Sequence, residues 1–282
     1  MLIRYGYDIT VTCSEPTPMV CFLTVHEDRA SDLRSAEKVI TRPQVATTIY
    51  RDLFGNVGRR FVAPAGDFFI SEDGTIEDSG ELDPINLDAA EIPVAALPDD
   101  CLVYLIGSRY CETDRLSQIA WDMFEHVKPG WSRVQSICNF VNQHITFGYH
   151  NARATRTAFE AYQEGVGVCR DYAHLAIAFC RCLNIPARYV NGYLGDIGVP
   201  ILDLMDFSAW IEVYLGGRWM TFDPRNNVPR IGRIVVARGR DAVDVPLINS
   251  FGPHVLKSFH VWTYDVADVP PSFIDHRSDR SH

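Results

Sequence analysis

The chain reads as an α+β protein in which a strand-rich first third precedes helices packed on an antiparallel sheet, and three observations predict it. Residues 2 to 12 and 18 to 25 alternate apolar and polar side chains, the period of a half-buried strand. Helical spacing begins only near residue 114, first in Leu116, Ile119, Ala120 and Met123, then in Val134, Ile137, Cys138, Val141 and Ile145. The stretch from Met205 to Pro224 reads as two short strands joined by Gly216-Gly217, the dipeptide of a tight hairpin, with Asp223 ending the second strand.

Each element follows in order. After the first two strands, Thr47-Thr48-Ile49-Tyr50 leads into a turn at Phe54-Gly55-Asn56, and Val62 to Ile70 restarts a strand, the pattern of a sandwich or barrel. Residues 1–82 are therefore expected to form a β domain. From Glu81 to Asp100 the chain is acidic and punctuated by Pro84, Pro93 and Pro98, a linker composition that sets a boundary at 83–112. The expected core, 113–268, opens with helices over Asp114–Phe124 and Ser132–His144. A third helix follows Cys169, with Ala173, Leu175, Ala176, Ile177, Phe179 and Cys180 as its apolar stripe. Pro186 prevents that helix from continuing, so Ile185 to Leu194 opens the sheet. Strand-like runs return at Ile231 to Asp241 and Phe259 to Tyr264, and the polar residues 269–282 are expected to form a flexible tail.

At 282 residues and 47% hydrophobic content the chain suits about two globular domains. Its net charge of −10 argues against a nucleic-acid or anionic-membrane partner. No run approaches the roughly 18 to 20 apolar residues of a membrane span, and the N-terminus alternates like a strand instead of showing a signal peptide's apolar block. A cytoplasmic location is expected. The eight cysteines are too irregularly spaced for a disulfide framework and lack paired Cys-x-x-Cys spacing, which predicts free thiols and no zinc site. Asp241 and Asp244 beside Arg238 and Arg240 read as a solvated ion-pair cluster without metal-ligand spacing. Gly165-x-Gly167 lacks the lysine and third glycine of a phosphate loop. No metal or cofactor is expected.

Chemistry concentrates at Gly165-Val166-Gly167-Val168-Cys169-Arg170-Asp171-Tyr172-Ala173-His174-Leu175, where a glycine-punctuated turn runs into an apolar helix. At a helix N-terminus the unpaired N–H groups and the macrodipole favour a thiolate, and the same groups stabilise an oxyanion. Cys169 is thus the candidate nucleophile. Cys180 and Cys182, farther along the helix, read as small buried hydrophobes. A nucleophilic thiol also needs a base and a group to orient that base. His174 lies five residues on, roughly 140° around the helix axis, and reads as core.

The helix-capping cysteine, Ala209-Trp210-Ile211-Glu212-Val213-Tyr214, Gly216-Gly217-Arg218-Trp219 and Phe222-Asp223-Pro224 together resemble the core of the bacterial transglutaminase-like family. The Ile185-Pro186-Ala187-Arg188-Tyr189-Val190 entry is similar too, and the β-rich first third looks like the domain that precedes that core. The resemblance implies a papain-like fold and thiol acyl transfer at an amide carbonyl through a thioester, as in cysteine peptidases, amidases and transglutaminases. Cys169 matches the family nucleophile and Asp223 the orienting aspartate. The family motif usually reads His-Ala-Trp, and here Ser208 occupies the histidine position. Some relatives carry a second histidine just after the aspartate, in Arg-His-Asn; this chain has Arg225-Asn226-Asn227 there, so that histidine is absent as well.

A serine hydroxyl is too poor a base to take a thiol proton at neutral pH. Three readings follow. His150, on the segment leading toward the cysteine turn, substitutes as base; or the helix dipole and Arg170 alone form the thiolate; or the site is degenerate and binds a peptide or protein partner in the retained cleft. Tyr149 is the expected oxyanion donor if there is catalysis. Plainer roles stand beside these: a strand hydroxyl for Ser208, a turn former for Asp223, a surface residue for His150, and core or cleft wall for Trp210 and Trp219.

Overall fold

The computed structural model describes residues 1–201 and 207–268; Met205, Asp206 and the expected tail lie outside the described residues. The first third is β-rich, as expected, with β1 (Leu2–Cys13), β2 (Thr17–Cys21), β3 (Ile40–Arg42), β4 (Thr48–Arg51), β5 (Val57–Ala63) and β6 (Gly66–Glu77). The run from Val62 to Ile70 is not one strand but the bend between two, β5 and β6, which belong to different sheets. β5 ends before Pro64, which has no N–H to give a ladder, and Gly66 turns the chain at φ +95°. The expected strand 18 to 25 stops at Cys21, where the Phe22 N–H turns to the carbonyls of Pro246 and Leu247 at 3.3 Å.

The helical part contains α1 (Thr113–Phe124), α2 (Trp131–His144), β7 (Thr146–Phe147), α3 (Ala158–Glu164), β8 (Val166–Gly167) and α4 (Cys169–Cys182). β9 (Ala187–Leu194), β10 (Phe207–Leu215), β11 (Arg218–Phe222) and β12 (Arg233–Gly239) form a sheet in the order β11-β10-β9-β12. The predicted Gly216-Gly217 hairpin joins β10 to β11, with both glycines at positive φ. α3 starts on a capping box, Thr157 accepting from the Glu160 N–H and Glu160 accepting from the Thr157 N–H. From Asp171 to Cys182 every residue of α4 is buried, because helices lie on one side of it and the sheet on the other.

The last two strands, β13 (Ile248–Ser250) and β14 (His254–Asp265), were read with the core but pair with the N-terminal strands. Sheet orders are β14-β1-β6-β3 and β13-β2-β5-β4, and β14 runs antiparallel to nearly all of β1. The long apolar edge of β1 is thereby covered on both sides. One buried core runs through all these layers, from Ile3 and Phe68 to Phe179 and Ile211. Tyr5 of β1 meets Tyr193 of β9 at 5.2 Å between ring centroids, and Tyr7 meets Phe207 at 6.3 Å.

The acidic, proline-rich stretch 83–112 is an ordered strap and does not run free. The Trp131 N–H donates to Ala89 O at 2.9 Å, and the Gly216 N–H to Ala90 O at 2.8 Å. Its acids meet cations and amides of the core: Glu91 takes Arg133 Nη1 at 3.0 Å and the Gly130 N–H at 2.8 Å. Short 3-10 turns bury Cys101 and Tyr104, whose ring stands edge-on to Trp219. Prolines here stiffen extended segments that dock through their carbonyls.

Asp241 departs from the expected solvated cluster. It is buried and accepts the N–H groups of Tyr110 and Val243 at 2.8 and 2.9 Å, whereas Arg240 pairs with Asp244 and Arg238 with Glu212. All eight cysteines are free thiols. Among the described residues no group of three or more His, Cys, Asp or Glu side chains is placed to hold a metal ion, and no helix is long and apolar enough to cross a membrane.

Candidate active site

Cys169 is the first residue of α4, and of the eight cysteines it is the one that is half-exposed. Its turn is held from below. Asp171, three residues past the N-cap, accepts the Val168 N–H at 2.8 Å and so closes the helix start. Arg156, itself buried, donates to the same carboxylate oxygen at 3.1 Å, to Glu164 at 3.0 Å and to Asn151 O at 2.7 Å. Burial pushes the Asp171 carboxyl up, against the opposing pull of the Val168 N–H and Arg156. The acid at the third helical position was a legible capping signal; Arg156 carried none.

The short parallel pair of β7 and β8 brings Tyr149 and His150 alongside this turn. Thr146 and Gly148 donate to the carbonyls of Gly165 and Gly167 at 2.8 and 3.1 Å, and Arg156 ties Asn151 to Asp171. Both side chains are exposed; Tyr149 stands edge-on to Phe147, and the His150 ring folds back over Gly148. Arg170 is engaged by its neighbours. It lies 4.3 Å over the Tyr110 ring and donates to the carbonyls of Arg153 and Arg156.

His174 is fully buried, stacked on Tyr110 at 5.2 Å, and its Nε2 accepts the Ala242 N–H at 3.1 Å. Burial, then Arg170 and Arg181, hold its pKa well below the usual value, so the ring stays neutral. Tyr189 on β9 completes the surroundings: burial, then the neighbouring Cys169 thiol, push its phenol up.

Ser208 lies on β10 opposite Gly192, on the sheet face that carries Trp210 and Glu212. It is buried, and its Oγ has no hydrogen-bond partner. Asp223 follows β11 and is also buried. Its Oδ1 accepts the N–H groups of Arg225 and Asn226 at 3.1 and 2.9 Å; its Oδ2 accepts Asn226 Nδ2 at 2.8 Å and Arg233 Nη2 at 2.9 Å. Burial pushes this carboxyl up, but Arg233 and the Asn226 donors outweigh it and hold it below the usual carboxylate range. Arg233 continues through Nε to Asp83 of the strap at 2.8 Å and lies over Trp210. Neither Arg233 nor Asn226 was among the sequence candidates.

Residues 117–224 match the model of the transglutaminase-like superfamily, a span that runs through Cys169 to Asp223. The core is transglutaminase-like. A solved structure of a candidate cysteine protease from Cytophaga hutchinsonii superposes with a TM-score of 0.83 at 29% identity, covering 96% of this chain and 92% of that one. An uncharacterised protein of Mycobacterium leprae is 36% identical over 104 residues, 36% of this chain and 35% of that protein. One from Mycobacterium tuberculosis is 32% identical over 144 residues, 48% of this chain and 46% of that protein. These matches span about a third to a half of the mycobacterial relatives.

Within this transglutaminase-like core Cys169 stands at the start of α4 and Asp223 just after β11. The Ser208 hydroxyl takes no part in the Asp223 network.

Proposed function

We propose that the chain is a transglutaminase-like domain that binds a peptide or protein segment in its thiol cleft and does not run triad acyl transfer. One observation carries this reading: both oxygens of Asp223 are engaged by Arg233, Asn226 and backbone N–H groups. An aspartate so held has no lone pair directed at a base, and the base position holds a serine without a partner. The eight free thiols support a reducing, cytoplasmic setting.

A second reading, a cysteine amidase, peptidase or acyl transferase working through a thioester on Cys169, is favoured by the half-exposed thiol at the start of α4. The pH dependence of Cys169 alkylation separates the two, followed by mass spectrometry beside the other cysteines, in the parent and in Ser208→His, together with acyl-enzyme formation from a peptide thioester. For a binding domain, Cys169 of the parent alkylates slowly at pH 6, no acyl-enzyme accumulates, and Ser208→His speeds alkylation. Fast alkylation of the parent at pH 6 with a trapped Cys169 thioester would overturn the proposal.

A further inference from the structure

Asp223 also lines a cavity of about 250 Å³ between the strap and the end of β11. Trp131 and Phe222, 4.4 Å apart between ring centroids, and the Cys138 thiol form buried parts of its wall. Three large aliphatic side chains on two loops complete the lining while remaining open to solvent: Ile85 at 60% exposure, Leu87 at 68% and Val228 at 53%. Pro84 and Pro229 stiffen those loops. Clustered exposed aliphatics around a concavity mark an interaction site.

The polar lining narrows the class of ligand. Asp83 and Asp223 are joined through Arg233, Asp83 also accepts the Arg230 N–H, and Gln135 donates to Asn139 and Asn227. The carboxylates of Asp83 and Asp223 are already engaged within the protein, so a charged newcomer loses its water with little gain in partners, whereas an apolar group gains against the aliphatic and aromatic wall. The size falls below the roughly 300 Å³ at which small-molecule sites begin and above the roughly 150 Å³ that admits benzene. That is room for one large side chain.

We infer that this cavity is a side-chain pocket that takes one bulky aliphatic or aromatic residue of the peptide segment bound in the thiol cleft. The inference rests on the peptide-binding reading above, and Asp223 is common to the pocket wall and the candidate site.

The test uses the full chain carrying Cys169→Ser, with acetyl-Ala-X-Ala-amide peptides in which X is Leu, Trp, Lys or Glu. Binding is read from the indole NMR signal of Trp131. The expected result is saturable shifts with the Leu and Trp peptides, at least about tenfold tighter than with Lys or Glu, the scale of burying one apolar side chain. Leu87→Asp and Val228→Asp, both at exposed positions, are expected to weaken the Leu and Trp peptides by a similar factor. Equal affinity for all four peptides, or shifts indifferent to Leu87→Asp and Val228→Asp, would overturn the assignment. Free indole binding as tightly as the Trp peptide would overturn it too, in favour of a small aromatic compound. Because Cys169→Ser cannot form a thioester, turnover by the parent bears on the proposed function alone and leaves this result standing.

Discussion

Arg233 Nη2 donates to Asp223 Oδ2 at 2.9 Å inside the protein, where both groups are buried. The same guanidinium reaches Asp83 of the strap, so one side chain ties strap, sheet and site together.

Arg233→Met leaves two carboxylates facing each other without their cation. Breaking a buried pair in this way is expected to cost about 3–5 kcal/mol in urea unfolding. The double variant with Asp223→Asn is expected to recover part of that loss. Asp223 has a depressed pKa, so its contribution is present above the ordinary value of 3.8 and fades as pH falls through the depressed value. An acid unfolding limb that is unchanged in Asp223→Asn would contradict the pairing.

Glu72 gives a pH dependence of opposite sign. It is 1% exposed, neither carboxylate oxygen has a partner, and burial, then the charge of Glu37, push its pKa to about 8 against the pull of Arg59. A raised folded-state value means that its share of stability is fully present below the unfolded value of about 4.3. It is lost progressively as pH rises to about 8, by at most about 1.4 kcal/mol per unit. Glu72→Gln should flatten the stability profile over that window; a profile identical to the parent's would show that Glu72 is ionised in the fold.

Asp171→Ala removes the cap of the Val168 N–H and leaves Arg156 buried without its nearest buried carboxylate. A loss of about 3 kcal/mol is expected. Amide hydrogen exchange should accelerate first over the turn 166–171, because that segment depends on this carboxylate for its closure. Uniform acceleration across the chain would argue that Asp171 has no local role.

Gly192 faces Ser208 across the ladder, and a Cβ there would strike the Ile234 carbonyl and the Trp210 ring. Gly192→Ala is expected to cost about 1–3 kcal/mol, the scale of overpacking. Equal midpoints for variant and parent in thermal unfolding would mean that β12 moves away easily.

Much of the architecture was legible in the residues. The helices predicted from Asp114 and Ser132 begin at Thr113 and Trp131, because a 3.6-residue apolar stripe is a local record of which face is buried. The Gly216-Gly217 turn was equally local, since only glycine adopts two successive positive φ angles cheaply. Cys169, Asp223 and Ser208 were singled out by motif. Arg233 was not, since nothing in Pro229-Arg230-Ile231-Gly232-Arg233 says which of its arginines turns inward.

The sequence by itself determined the α+β class, the cysteine at a helix start, and the Gly216-Gly217 hairpin that joins the strands of Ser208 and Asp223. Those are properties of period, turn chemistry and residue type, each written within a dozen neighbouring residues. Only the tertiary structure decided that β13 and β14 close the N-terminal sheets, that 83–112 docks as a strap, and that Arg233 occupies Asp223. Open strand edges and buried charges must find partners, but local spacing does not say which distant partner they find; that choice is made when the whole chain packs.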